Sequence, residues 1–128
     1  MALQTRRKHI LVVDDDRLIV SLLEAGLQEA EGEYTIVTAF NAQEALTKIR
    51  QERFALVMTD YQMPDMNGVE LMQQIRNLLP ETRIVLMSAH PPDLMEEMIG
   101  EIHADGYLEK PISLTKLWAL VEEMINGQ

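Results

Sequence analysis

Two rhythms of apolar and polar positions alternate along this chain. Short apolar runs rich in β-branched residues are each followed by a longer stretch with apolar residues at every third or fourth position. The first run, over residues 9–13, ends in three aspartates and predicts a buried strand. Leu18, Ile19, Leu22, Leu23, Leu27 and Ala30 then fall at helical spacing, with Glu24, Gln28 and Glu31 off that stripe. Asp16 is placed to cap this helix, and Gly32 to stop it. A second strand is predicted over 34–39. After Asn41 as a cap, Ala42, Ala45, Leu46 and Ile49 mark one side of a second helix.

The same alternation continues to the end. A third strand is predicted over 54–59, closed by Asp60, and a loop with Pro64, Asp65, Asn67 and Gly68 follows. Val69, Leu71, Met72 and Ile75 open a helix that ends before Pro80. A fourth strand is expected over 83–87, with Ser88 at its end. His90, Pro91 and Pro92 break the chain before a helical segment over 93–102. A fifth strand is expected over 104–108. Pro111 and Ser113 lead into a last helix with Leu114, Leu117, Val121 and Met124 inward. Five strands alternating with five helices predict an α/β architecture: an open, mostly parallel sheet with helices on both faces. Residues 1–8 read as a lead-in and 9–126 as one domain, with no repeat, linker or second domain.

In such sheets ligands bind beyond the carboxyl ends of the strands. Asp14, Asp15 and Asp16 follow strand one, Asp60 strand three, Ser88 strand four, and Glu109 and Lys110 strand five. A single aspartate after a strand is ordinarily a turn or cap residue. The set says more. If strands one and three are neighbours, about 4.8 Å apart, Asp14 or Asp15 converges with Asp60, and the repulsion calls for protonation or a cation. Oxygen donors without His or Cys favour Mg²⁺. Lys110 suits a phosphate oxygen, Ser88 can donate to the same oxygen, and a carboxylate can be the nucleophile that receives a phosphoryl group. The residues therefore point to a Mg²⁺-dependent aspartyl-phosphate site.

Composition narrows the partners. A formal net charge of −10 disfavours nucleic-acid binding by this domain, because phosphate contacts need clustered Lys and Arg. Arg6, Arg7 and Lys8 form the only basic run and read as a solvated lead-in. The absence of cysteine removes disulfides, thiolate catalysis and Cys-based zinc sites. No apolar run approaches the ~18 residues of a membrane span, and no secretory signal follows Lys8. The expected location is cytoplasmic, without a membrane partner.

Four blocks carry a family resemblance: VVDDD at 12–16, MTDYQMPDMNG at 58–68, LMSA at 86–89 and ADGYLEKP at 104–111. In this order and spacing, over residues 9–125 or so, they resemble the receiver domains of two-component signalling. The resemblance implies a flavodoxin-like, doubly wound sheet of order 2-1-3-4-5. It implies Asp60 as phosphoacceptor and Mg²⁺ held by Asp14, Asp15, Asp60 and the backbone carbonyl of Gln62. Asp15 is the stronger candidate for direct ligation and Asp14 for ligation through water. It also implies Lys110 on the phosphoryl group, a cis Lys110-Pro111 bond, Ser88 as switch hydroxyl and Tyr107 as its aromatic partner. Gln62 and His90 fall where the family tunes phosphoryl lifetime. Such a domain is an acceptor rather than a conventional enzyme, with self-catalysed phosphorylation and dephosphorylation. A histidine kinase or phosphotransfer protein would donate. The output surface would combine the helical segment over 93–102, the fifth strand and the last helix, binding an unnamed partner or a second copy after phosphorylation. Trp118, Met95 and Met98 are candidates for that face.

Two departures stand out: Asn67 where Asp is common, which should matter little because both favour turns and positive φ, and His90, Pro91, Pro92 after Ser88. Two other readings compete. Asp14 and Asp16 are spaced like the first motif of haloacid-dehalogenase-type phosphohydrolases, with Asp14 as nucleophile, although Leu18 stands where Thr or Val is expected. A receiver-like module that binds partners without phosphorylation is the other, and the intact acidic set argues against it. A nucleotide-binding module lacks its Gly-rich loop after strand one.

Overall fold

β-branched and large apolar residues with alternating partners on two faces produce the five strands of this computed structural model. The structure describes residues 8–30, 34–91, 93–94, 97 and 104–127. The strands are β1 (Lys8–Val13), β2 (Tyr34–Ala39), β3 (Leu56–Asp60), β4 (Arg83–Ser88) and β5 (Gly106–Glu109). The helices are α1 (Arg17–Glu29), α2 (Ala42–Gln51), α3 (Gly68–Leu78) and α4 (Leu114–Val121), the last continued by a π-helical turn, Glu122–Asn126. All pairings are parallel, in the order β2-β1-β3-β4-β5, as expected for a doubly wound sheet. Most of the helix expected over 93–102 lies outside the described residues, and Asp93, Leu94 and Glu97 are helical. Gly32, Arg6, Arg7, Met95 and Met98 also lie outside them.

Successive strand residues point to opposite faces, and this divides the core in two. Ile10, Val12, Leu56, Met58, Val85 and Met87 pack against Val20, Leu23 and Leu27 of α1 and Leu117 and Val121 of α4. Leu11, Val13, Val57 and Ile84 pack against Ala42, Ala45, Leu46 and Ile49 of α2 and Leu71, Met72 and Ile75 of α3. From Ile10 onward β1 is buried on both faces, as is all of β3, which suits central strands of a parallel sheet.

The expected stripe of α1 is narrower than the spacing suggests. Its buried line runs through Val20, Leu23, Gly26 and Leu27, whereas Leu18 is 81% and Leu22 40% exposed. At about 100° per residue those two fall on the solvent flank. Strand five starts later than expected. Asp105 lies before it as a side-chain tie, accepting from the Ile84 amide at 2.7 Å and pairing with Arg76 at 3.3 Å. Trp118 turns toward α1 rather than β5, and its indole N–H donates to the Gly26 carbonyl at 2.8 Å.

Candidate functional site

The strand order makes β1 the neighbour of β3, with Val13 opposite Thr59, so the residues ending these strands share one rim. Asp14 follows β1 and is completely buried; its amide donates to the Ala39 carbonyl at 3.2 Å. One of its oxygens accepts the Asp16 amide at 3.0 Å. Asp16 itself caps α1, accepting from Leu18 and Ile19. Asp60 ends β3 and is 9% exposed. Ser88 ends β4, and Lys110 follows β5, where its amide continues the ladder to the Ser88 carbonyl at 2.7 Å. The Lys110-Pro111 bond is cis, as the resemblance implies.

The lysine from the far edge of the sheet meets both carboxylates. Its Nζ lies 2.8 Å from Asp14 Oδ2 and 3.2 Å from Asp60 Oδ1. The carboxylates of Asp14, Asp15 and Asp60 each offer an oxygen within 4.8 Å of the others. Three acidic groups therefore face one ammonium. Burial pushes the Asp60 carboxyl above its usual range, the Asp14 charge adds to this, and Lys110 only partly counters it. Burial pulls Lys110 down, but its hydrogen bond to Asp14 and the Asp60 charge outweigh that and raise it. The two directions are compatible because Asp60 shares the lysine with Asp14, which holds the shorter contact. The surplus of negative charge on hard oxygen donors fits a divalent cation of the Mg²⁺ kind.

Beside the cluster is a cavity of about 130 Å³ lined by Asp60, Tyr61, Gln62, Ser88, Ala89, His90 and Lys110. At about 30 Å³ per water it has room for several polar atoms. Ser88 Oγ faces this region and accepts from the His90 amide at 3.0 Å. Six of the seven sequence-predicted residues, Asp14, Asp15, Asp60, Gln62, Ser88 and Lys110, thus gather at one end of the sheet. Tyr107 does not join them. It lines a separate groove with Lys116, Leu120 and Glu123, and its hydroxyl is buried without a partner among the described residues.

The loop after Asp60 holds what the sequence did not announce. Asp65 accepts from the Ala42 amide at 3.1 Å and the Gln43 amide at 3.0 Å, at the start of α2. No periodicity links a loop aspartate to a helix two dozen positions earlier. Asn67 also differs from expectation: with φ −77° it caps α3 from extended backbone, accepting from Glu70, and not from a left-handed turn. The constraint falls on Gly68, where a Cβ would stand 2.5 Å from the Asp60 carbonyl oxygen.

Comparison with known proteins matches this arrangement. The family model described as the response regulator receiver domain covers residues 10–122. The chain belongs to the response regulator receiver domain family. The receiver is 32% identical over 119 residues to the alkaline phosphatase synthesis transcriptional regulatory protein PhoP of Bacillus subtilis, covering 93% of this chain and 49% of that protein. It spans about half the length of that relative. Chemotaxis response regulator CheY4 of Vibrio cholerae superposes with a TM-score of 0.84 at 26% identity, over 93% of this chain and 99% of that one. A response regulator of Burkholderia pseudomallei, solved with a phosphorylated aspartic acid, a calcium ion and citrate, superposes at 0.76 and 27% identity, over 88% of this chain and 65% of that one. The acidic pocket of the receiver fits a Mg²⁺-binding phosphorylation site. The phosphohydrolase spacing has no support in the geometry, because Asp14 is fully buried on Lys110 and Asp16 is engaged as a helix cap. Among the described residues no helix is long and apolar enough to cross a membrane.

Proposed function

We propose that residues 9–126 form a cytoplasmic receiver unit, with 1–8 as lead-in, that accepts a phosphoryl group on Asp60 from a histidine kinase or phosphotransfer protein. The observation that carries this reading is the shared lysine: Lys110 bridges Asp14 and Asp60 at the mouth of a cavity that also contains Ser88. An Asp60 oxygen attacks phosphorus, and the phosphorus–nitrogen bond of the donor phosphohistidine breaks, leaving the electron pair on the imidazole. Lys110 holds negative charge on the transferred group, and its second partner, Asp14, keeps the ammonium charged and aimed. The Ser88 hydroxyl, an acceptor from the His90 amide before transfer, turns its proton toward a phosphoryl oxygen. Tyr107 responds to the vacated space. Both phosphorylation from small donors and hydrolysis are self-catalysed. In hydrolysis a water oxygen attacks phosphorus beside Gln62 and His90, the bond to Asp60 breaks, and a proton passes to solvent.

Asp14, Asp15, Asp60 and the Gln62 carbonyl would hold Mg²⁺. When bound, Mg²⁺ supplies neutralising charge for the transfer. The calcium ion and phosphorylated aspartate of the Burkholderia pseudomallei relative support this assignment. The switch biases a surface that includes β5 and α4, where Tyr107, Lys116, Leu120 and Glu123 line a groove suited to an output partner or a second copy.

Intact-mass spectrometry after incubation with acetyl phosphate and Mg²⁺ tests the reading. The expected result is one added phosphoryl group, absent in Asp60→Asn and abolished by chelator. Equal labelling of Asp60→Asn would reject Asp60 as the acceptor. Sedimentation of the same samples reads whether phosphorylation changes the oligomeric state.

A further inference from the structure

The seven residues between β3 and α3 carry the Gln62 carbonyl and run mostly exposed over the rim. Their ends are tied. The Tyr61 amide donates to the Met87 carbonyl at 2.9 Å, and the Gly68 amide donates to the Tyr61 carbonyl at 2.7 Å. Between those ends, Met63 and Met66 pack on the core beside α2 and α3. Asp65 adds the polar anchor, with one oxygen on each of the first two amides of α2. The third amide, that of Glu44, is taken at 2.8 Å by Asn41. Asp65 therefore supplies α2 with two caps from another part of the chain, while Asn41 supplies one from its own start.

Asn41 alone suffices as a local N-cap, so the long-range carboxylate is redundant for starting the helix. Its geometric effect falls on the loop. Two hydrogen bonds from a rigid helix terminus to a carboxylate fix position and orientation together. Burial is the largest single influence and opposes the ionised form of Asp65, but the amides of Ala42, Gln43 and its own residue together outweigh it and hold the carboxyl below its usual range. It is an anion at neutral pH, where the positive end of α2 attracts it.

We propose that Asp65 is a positioning residue for the cation site, anchoring to α2 the loop that presents the Gln62 carbonyl. The inference rests on the Mg²⁺-dependent acceptor reading above. Asp65 touches neither the cation nor the phosphoryl group. It restricts the backbone three residues from Gln62, so its loss shows first as weaker Mg²⁺ binding.

The test is calorimetric titration of Mg²⁺ into the full chain and its Asp65→Ala, Asp65→Asn and Asn41→Ala variants, each well below its melting temperature. Asp65→Ala should raise Kd about 10-fold, the scale of outer-sphere losses at metal sites. Asp65→Asn, which retains one acceptor oxygen, should fall between it and the wild type. Asn41→Ala weakens the same helix terminus without touching the loop and should leave Kd within about two-fold. The acetyl phosphate reaction of Asp65→Ala should recover at saturating Mg²⁺. If Asp65→Ala fails to fold, Asp65→Asn carries the comparison. A folded Asp65 variant with wild-type Kd overturns the proposal, as does an Asn41→Ala loss equal to that of Asp65→Ala. Absence of Mg²⁺ binding by the wild type would instead remove the underlying reading, and the positioning role with it.

Discussion

Lys110→Met removes one charge from the site while keeping most of an aliphatic stem. In the native chain the ammonium lies 2.8 Å from Asp14 and 3.2 Å from Asp60, and its side chain is 21% exposed. Removing one partner from a fully buried pair costs about 3–5 kcal/mol. Partial solvent access to Lys110 and Asp60 reduces this to about 2–3 kcal/mol. With an unfolding entropy of about 2.1 cal/mol/K per residue, the 128 residues convert the loss into a fall in Tm of about 7–11 °C. Thermal melts in chelator at neutral pH measure it. Added Mg²⁺ should narrow the gap, because the variant presents three carboxylates without a counter-charge and gains more from the cation. Acid should narrow it too, because the Asp60 carboxyl is raised and loses its charge as pH falls. Adding Asp14→Asn to Lys110→Met should return part of the loss. A change below about 0.5 kcal/mol, or a gap unmoved by both Mg²⁺ and acid, would refute the view that Lys110 compensates buried negative charge.

Further outcomes follow from single contacts. Asp60→Asn should flatten the pH dependence of stability. The raised Asp60 carboxyl contributes stability that is present below the unfolded value of 3.8 and lost as pH rises through the folded value, so the variant gains on wild type toward neutral pH in denaturant melts. Gly68→Ala should cost about 1–3 kcal/mol by overpacking against backbone atoms of Asp60 and Tyr61, read by the same melts and by a slower acetyl phosphate reaction. Leu18→Ser should change stability by no more than about 0.5 kcal/mol, whereas Leu23→Ala, in the buried line of α1, should cost about 2–5 kcal/mol. Equal effects of these two would mean that the phase of α1 differs from the one described.

Much of this architecture was legible because strand burial leaves a strong mark. Ile10–Val13 of β1 and Leu56–Met58 of β3 are unbroken apolar runs just ahead of the acidic positions that follow, and caps such as Asp16 and Asn41 sit next to the helices they start. The convergence of Asp14, Asp60 and Lys110 was legible only with a strand order, which alternation alone does not fix and the family resemblance supplied. Leu18 and Leu22 were misread because spacing gives the period of a helix but not how wide a face its neighbours cover. The start of β5 shifted because Asp105 satisfies the Ile84 amide with a side chain, a contact invisible to propensity. Asp65 was hidden for a related reason, since its partners belong to another helix. The bond from the Trp118 indole N–H to the Gly26 carbonyl was hidden in the same way, and it leaves the ring partly exposed.

The reach of Lys110 has a consequence for how the protein matures. Its ammonium comes from the chain segment after the last strand, yet its partners lie just after β1 and at the end of β3, laid down much earlier. A nascent or partly folded chain without β5 in place has the acidic residues but not the lysine ammonium that faces them. If Asp60 is the acceptor as proposed, the pocket in which its lysine is already placed exists only once the sheet is complete.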